Sequence, residues 1–108
     1  MNEKLSQIVK VLEDSKMNKI VIYDLNMANP FFDYVVIATS TNKRQLKATV
    51  ENIGKANIPY DHVEGEAESG WVLIDSTDTI INLMSGEARE TYALDNIYFE
   101  YKKIYSNE

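Results

Sequence analysis

Residues 71–84 read WVLIDSTDTIINLM. Two apolar runs, Trp71–Ile74 and Thr79–Met84, flank the polar link Asp75-Ser76-Thr77-Asp78. Short runs rich in Val, Ile, Thr and aromatic residues, bounded by turn formers, read as strands. A link this short leaves no room for a crossover, so the two strands are expected to be antiparallel neighbours. Side chains alternate between the faces of a strand. Trp71, Leu73 and Asp75 therefore share a face with Ile80, Asn82 and Met84, while Val72 and Ile74 share the other with Thr79, Ile81 and Leu83. The second set is aliphatic apart from Thr79 and suits a helix-covered core. The first mixes aromatic, Met and polar side chains. It fits either a Trp packed under a helix or a partly covered interface with anchors and a polar rim.

Outward from the hairpin, Tyr34–Ala38 (YVVIA) is apolar without alternation, the pattern of a central strand covered on both faces. Ser40 or Thr41 can cap a helix whose apolar stripe is Leu46, Val50 and Ile53. That helix is expected to run to about Asn57, with Pro59 ending it. Near the start, Leu5, Ile8, Val9 and Leu12 lie on one helical face, and Asn2 can cap them. Ile20–Tyr23 and Tyr60–Val63 read as short strands, and Asn26–Pro30 as a loop. Ser85 caps a third helix, with Glu87 in its first turn and Ala88 and Tyr92 on one face. Leu94 and Ile97 belong to a last docked segment, and residues 98–108, YFEYKKIYSNE, read as an amphipathic helical extension. The order is α-β-β-α-β-β-β-α. Strand-helix-strand passages imply parallel pairing and the hairpin implies antiparallel pairing. The expected fold is α/β, a mixed sheet covered by helices, with one domain over 1–98 and a C-terminal extension over 99–108.

The 108 residues fit one domain. Cysteine is absent, which excludes disulfides and suits a reducing compartment. The N-terminal segment is charged throughout, with no apolar signal-peptide core, and no later run approaches a membrane span. A cytoplasmic location is expected. Net charge is −6, from 17 acidic and 11 basic residues. Phosphate backbones repel such a chain, so little direct nucleic-acid contact is expected; the charge suits a basic protein partner, or solubility alone.

The residues offer little for catalysis. His62 is the sole histidine, no glycine-flanked nucleophile occurs, and His62 reads as a surface residue at a strand edge. The glycines are scattered, with neither GxxxxGKS/T nor GxGxxG. The segment TSTNKR (39–44) can hold an anion with backbone N–H groups and Lys43 or Arg44, although capping alone explains its Ser and Thr. Asp75 and Asp78, with Glu64, Glu66 and Glu68 nearby, can bind Mg²⁺ only if they converge. Aspartates at both ends of a tight turn are also ordinary turn chemistry. The alternative reading is a Mg²⁺-dependent nucleotidyltransferase using Asp75 and Asp78. Such enzymes need a Gly-Ser turn and an Asp-x-Asp pair; here the spacing is Asp-x-x-Asp and Ser69-Gly70 runs in the opposite order. No catalytic residue, metal or cofactor is expected.

Two longer blocks carry a resemblance. YDLNMANPFFDYVVIATSTNKRQLKA is similar to a strand and loop leading to D-x-x-V-I-x-T-G-T-S-x-R-Q. VEGEAESGWVLIDSTDTIINLMSGEARETYALDNIY is similar to E-G-x-x-x-x-x-W-x-L-x-D-x-G-D-x-x-V-H-x-F-x-x-x-x-R-x-x-Y-x-L-E-x-L-W. Over about Leu5 to Tyr98 the chain resembles the ribosomal silencing factor (Iojap-like) family. The resemblance implies a nucleotidyltransferase-like α/β fold without that superfamily's catalytic apparatus, and a homodimer when free. It implies binding to the large ribosomal subunit through large-subunit ribosomal protein fourteen. Bound there, such a factor blocks small-subunit joining and lowers translation under nutrient limitation. The matching positions are Asp33, Arg44 and Gln45 in the first block, and Glu64, Gly65, Trp71, Asp75, Asp78, Arg89, Tyr92 and Leu94 in the second. The partner-binding set expected from pattern and resemblance is Glu64, Trp71, Asp75, Asp78, Asn82, Met84, Arg89 and Tyr92. The chain departs from the family pattern at Ser40, Asn42, Thr77, Asn82 and Tyr98. Thr77 replaces a glycine suited to positive φ, and Asn82 replaces a histidine, keeping hydrogen bonding but not titration.

Overall fold

Leu5, Ile8, Val9 and Leu12 form one stripe, and helix α1 (Glu3–Asp14) buries all four. Asn2 caps it, its side chain accepting the Leu5 N–H at 2.8 Å. The computed structural model describes residues 1–107. After α1 come β1 (Asn18–Asp24), β2 (Tyr34–Ser40), α2 (Lys43–Lys55) and β3 (His62–Glu66). A 3-10 turn, Ala67–Ser69, leads to β4 (Trp71–Ser76) and β5 (Thr79–Ser85). The chain closes with α3 (Gly86–Tyr92), α4 (Leu94–Tyr98) and β6 (Lys102–Ser106).

These strands form one mixed sheet in the order β3-β4-β5-β2-β1-β6. Among the described residues only β2 and β5 run parallel. The hairpin is antiparallel, from Trp71↔Met84 to Ser76↔Thr79. Helices α1 and α2 cover one face, where Ile22, Val36, Ala38, Val72, Ile74, Ile81 and Leu83 meet Leu5, Ile8, Leu46 and Ile53. Val21, Tyr23, Val35, Ile37 and Met84 occupy the opposite face, with Ala88, Leu94 and Tyr98 of the last two helices packed there. The YVVIA strand thus sends Val35 and Ile37 one way and Val36 and Ala38 the other, and both sets are buried.

Several local readings change. Asn42, rather than Ser40 or Thr41, caps α2 by accepting the Gln45 N–H at 2.8 Å. Ser40 remains in β2, and the Thr41 N–H donates to Gln45 Oε1 at 2.6 Å. Helix α2 ends at Lys55, short of Asn57, and the third strand begins at His62 rather than Tyr60. The helical reading of the C-terminal stretch is replaced by a strand: β6 pairs antiparallel with β1, which otherwise would present an open edge. Ile104 and Tyr105 pack against the core, and Asn107 accepts the Ile20 N–H at 2.6 Å. Of the eleven residues read as a helix, Glu108 lies outside the described residues.

The hairpin turn carries strain at the position where the resemblance calls for glycine. Thr77 has φ 61°, and Asp78 is not among the residues of positive φ. Positive φ at only the first central residue is the type II′ pattern, which favours glycine there. A β-branched residue in this region is a steric outlier. Thr77→Gly is therefore expected to stabilise the fold by about 1 kcal/mol, read as a higher urea midpoint with an unchanged slope. A lower midpoint would show that the contact of the Thr77 hydroxyl with Asp61, at 3.4 Å, outweighs the strain.

Candidate functional site: an aromatic groove at an acidic sheet edge

A partly open face lies at β3 and β4, beside Tyr92 of α3. Two glycines shape it. Gly65 has φ 85°, and a Cβ there would lie 2.2 Å from the Trp71 carbonyl oxygen. Glycine alone lets β3 lie this close to β4 in this conformation. Gly70 has φ 81°, and a Cβ there would lie 2.8 Å from Ser85 Oγ. That same hydroxyl caps α3 by accepting the Ala88 N–H at 3.0 Å. The start of α3 is thereby seated against the start of β4. One consequence is that Tyr92, at the end of α3, meets Trp71 with ring centroids 4.8 Å apart.

Glu64, Gly65, Ser69, Trp71, Leu73 and Tyr92 line the resulting groove, of about 300 Å³. Trp71 is half-buried, and Tyr92 is 56% exposed. The indole is fixed from below: Trp71 Nε1–H donates to Asn82 Oδ1 at 3.0 Å, and Asn82 Nδ2 donates to the Val36 carbonyl at 3.3 Å. Asn82 is 3% exposed, so its amide connects the ring to the central strand rather than facing a partner. Both sequence readings of Trp71 meet here: one side of the ring is packed and held, the other borders the groove. Asn82→Leu keeps the volume but leaves the indole N–H without its acceptor. We expect a loss of about 1–3 kcal/mol in unfolding free energy and a shifted emission maximum, reporting the site directly because Trp71 is the sole tryptophan. Unchanged stability and emission would contradict the role of this amide.

Carboxylates crowd the same edge. In register, His62, Glu64 and Glu66 oppose Asp75, Leu73 and Trp71. His62 Nε2 lies 3.0 Å from Glu64 Oε1, and both side chains are largely exposed. Asp75 has one buried carboxylate oxygen without a hydrogen-bond partner. Lys43 pairs with Glu68 at 3.0 Å, and Arg44 is exposed.

Asp75 and Asp78 do not converge. The Asp75 side chain lies on the Trp71 face by alternation. Asp78 is held by Lys4 of α1 at 2.5 Å and by the Thr79 hydroxyl at 2.9 Å. Burial pushes the Asp78 pKa up, but the Lys4 and Thr79 hydrogen bonds and the Lys4 charge outweigh it and hold the pKa below its ordinary value. Met84 is fully buried against Ala88 and is a core residue. Arg89 is also turned inward. Its guanidinium donates to both carboxylate oxygens of Asp95 at 3.0 Å, to Thr39 Oγ1 at 3.0 Å, and to the Lys19 carbonyl. Tyr23 donates to Asp95 Oδ1 at 2.9 Å from the sheet.

Among the other matched positions, Gln45 Nε2 donates to the carbonyls of Ser15 and Lys16 at the end of α1. The Asp33 N–H donates to the Asp78 carbonyl, and Leu94 packs in the second core. Of the expected partner-binding residues, the structure therefore brings Glu64, Trp71, Asp75 and Tyr92 to one partly open face. It places Asn82 and Met84 beneath that face, Arg89 in a separate cavity with Lys19, Thr39 and Asp95, and Asp78 beside α1. The pattern missed Leu73 and Ser69 as groove residues, although alternation had placed Leu73 beside Trp71. Asp95 was missed as the partner of Arg89.

Fold and site together define a small mixed α/β domain that carries an aromatic groove bordered by acidic residues on one partly open face. The profile of the family described as "Ribosomal silencing factor during starvation" matches residues 1–108, and the chain belongs to that family. It is 31% identical over 98 residues to a ribosomal silencing factor of Zymomonas mobilis, covering 87% of this chain and 74% of the relative. With that of Haemophilus influenzae the identity is 27% over 95 residues, covering 84% and 93%. A mouse protein named for mitochondrial assembly of the ribosomal large subunit is 28% identical over 101 residues. That match covers 87% of this chain and 44% of the mouse protein. A crystal structure from Chromobacterium violaceum superposes with a TM-score of 0.82 at 25% identity, covering 94% of this chain and 90% of that one. No helix among the described residues is long and apolar enough to cross a membrane.

Proposed function

We propose that the protein is a non-enzymatic ribosomal silencing factor. It binds the large ribosomal subunit through large-subunit ribosomal protein fourteen, prevents the small subunit from joining, and represses translation under nutrient limitation. In this reading it is cytoplasmic and a homodimer when free. The observation that carries the reading is the Trp71–Tyr92 groove beside Glu64, Glu66 and Asp75. Aromatic anchors supply most of the binding energy of an interface, and flanking charge speeds the encounter with a partner of opposite sign. Glu64, Trp71, Leu73, Asp75 and Tyr92 make the contact. Asn82, Met84 and Arg89 hold the contacting residues in place, and Asp78 secures the hairpin to α1.

Family membership supports the silencing reading over the nucleotidyltransferase one, and so does the divergence of Asp75 and Asp78. Two-metal chemistry needs both carboxylates on one site. Sedimentation with separated ribosomal subunits tests the proposal: the protein is expected to travel with large subunits and not with small ones. Travel with small subunits alone would mark it as an adaptor for another partner. Turnover of labelled nucleotide with Mg²⁺, abolished by Asp78→Asn, would restore the enzyme reading.

A further inference from the structure

Strand β3 ends the strand order, and no strand lies beyond it among the described residues. All five of its residues are exposed. An edge strand offers backbone N–H and C=O groups to any chain that can lie beside it. Folded proteins blunt such edges with bulges, covering segments or charge. Here the register with β4 is continuous from His62↔Asp75 to Glu66↔Trp71, without a bulge. Its charge is mainly acidic: Glu64, beside His62, and Glu66 lie on the Trp71 face, Asp61 is close by in the chain, and Glu68 is paired with Lys43. At the opposite edge, β6 carries Lys102 and Lys103 instead.

The geometry points to β3 as a strand-pairing site for a basic, extended segment of the large-subunit protein that occupies the groove. The segment pairs with His62–Glu66 as an added strand and lays Lys or Arg side chains against Glu64 and Glu66. This inference rests on the docking reading above. Two observations select that occupant. Opposite charges across a strand pair stabilise it and like charges destabilise it, so a second copy offering its own β3 would set Glu64 and Glu66 against carboxylates. The edge is also continuous with the groove, because Glu64 and Gly65 belong to both. A segment of about 17 Å, five residues of extended chain, would thus lie one strand away from the Trp71 anchor, with β3 between them.

Amide hydrogen exchange on the full chain, free and bound to purified large subunits, tests the pairing. The outward-facing amides within 62–66 are expected to slow by at least about tenfold on binding. The double variant Glu64→Lys, Glu66→Lys, folded by circular dichroism, is expected to bind at least about tenfold more weakly. If the chain binds large subunits but residues 62–66 keep their free exchange rates, strand pairing is wrong and groove docking stands. Failure to bind large subunits at all overturns both. Protection of 62–66 that appears in the free protein as its concentration rises would assign the edge to a second copy and overturn the proposal.

Discussion

Trp71→Ala is expected to weaken binding to the large ribosomal subunit by about 2 kcal/mol, roughly thirtyfold in dissociation constant. The indole supplies the largest ring of the groove, and the Tyr92 ring packs on it, tilted, with centroids 4.8 Å apart. Truncation removes that surface and leaves Tyr92 without its support. It also leaves Asn82 Oδ1, now buried without a donor, as a liability for folding. Trp71→Phe separates the two effects. It keeps an aromatic anchor but loses the N–H and part of the ring surface, so it is expected to bind more tightly than Trp71→Ala while losing about 1 kcal/mol of stability. Unchanged co-sedimentation of a folded Trp71→Ala variant would remove Trp71 from the interface.

Arg89→Met is expected to cause the largest loss of stability. The side chain of Arg89 is only 10% exposed, and Asp95 is 37% exposed. Removing the guanidinium leaves a half-buried carboxylate served by Tyr23 alone among its side-chain partners, and frees the Thr39 hydroxyl and Lys19 carbonyl. Breaking a fully buried pair costs about 3–5 kcal/mol, and solvent access to Asp95 reduces this to about 2–3. The pH dependence follows from the carboxylate. Burial raises the Asp95 pKa, but the hydrogen bonds and charge of Arg89 and the Tyr23 hydroxyl prevail and hold it below its ordinary value. A depressed folded pKa contributes stability that is complete above the unfolded value of 3.8 and is lost as pH falls through the folded one. In Arg89→Met the burial remains, and of its counterweight only the Tyr23 hydroxyl is left among the side-chain partners. Acid unfolding is therefore expected at higher pH than in the parent protein. Equal stability and an unmoved acid limb would mean that the Arg89–Asp95 pair is not formed in solution. Because the network joins α3 and α4 to the sheet, this variant is also expected to loosen Tyr92.

The hairpin and the central strand were legible because their patterns were strong. WVLIDSTDTIINLM alternates cleanly between faces, and YVVIA does not alternate at all. Strand β6 was not legible. KKIYS has a weak strand pattern, and its place depends on β1 having an edge to fill. The sequence reading set Leu94 and Ile97 apart as a docked segment, but the stop between α3 and α4 carries no glycine signal. Ala93 ends α3 in the left-handed region, with φ 49°, where a glycine would have signalled the stop. Without that break Arg89 and Asp95 are not seen as partners. At the site, alternation put Trp71, Leu73, Asp75 and Asn82 on one face. It left open which of them α3 covers, and the covering decides that Asn82 supports the indole while Leu73 lines the groove. Strain at Thr77 was anticipated from its replacing a glycine, and the positive φ is present.

A subunit-joining assay puts the central proposal to its most direct test. Purified large subunits are incubated with the protein, small subunits are added, and the assembled fraction is read by sucrose-gradient sedimentation. Joining is expected to fall as the protein is added in stoichiometric excess, and folded Trp71→Ala at the same concentration is expected to restore it. Full joining in the presence of large subunits saturated with the protein would contradict it.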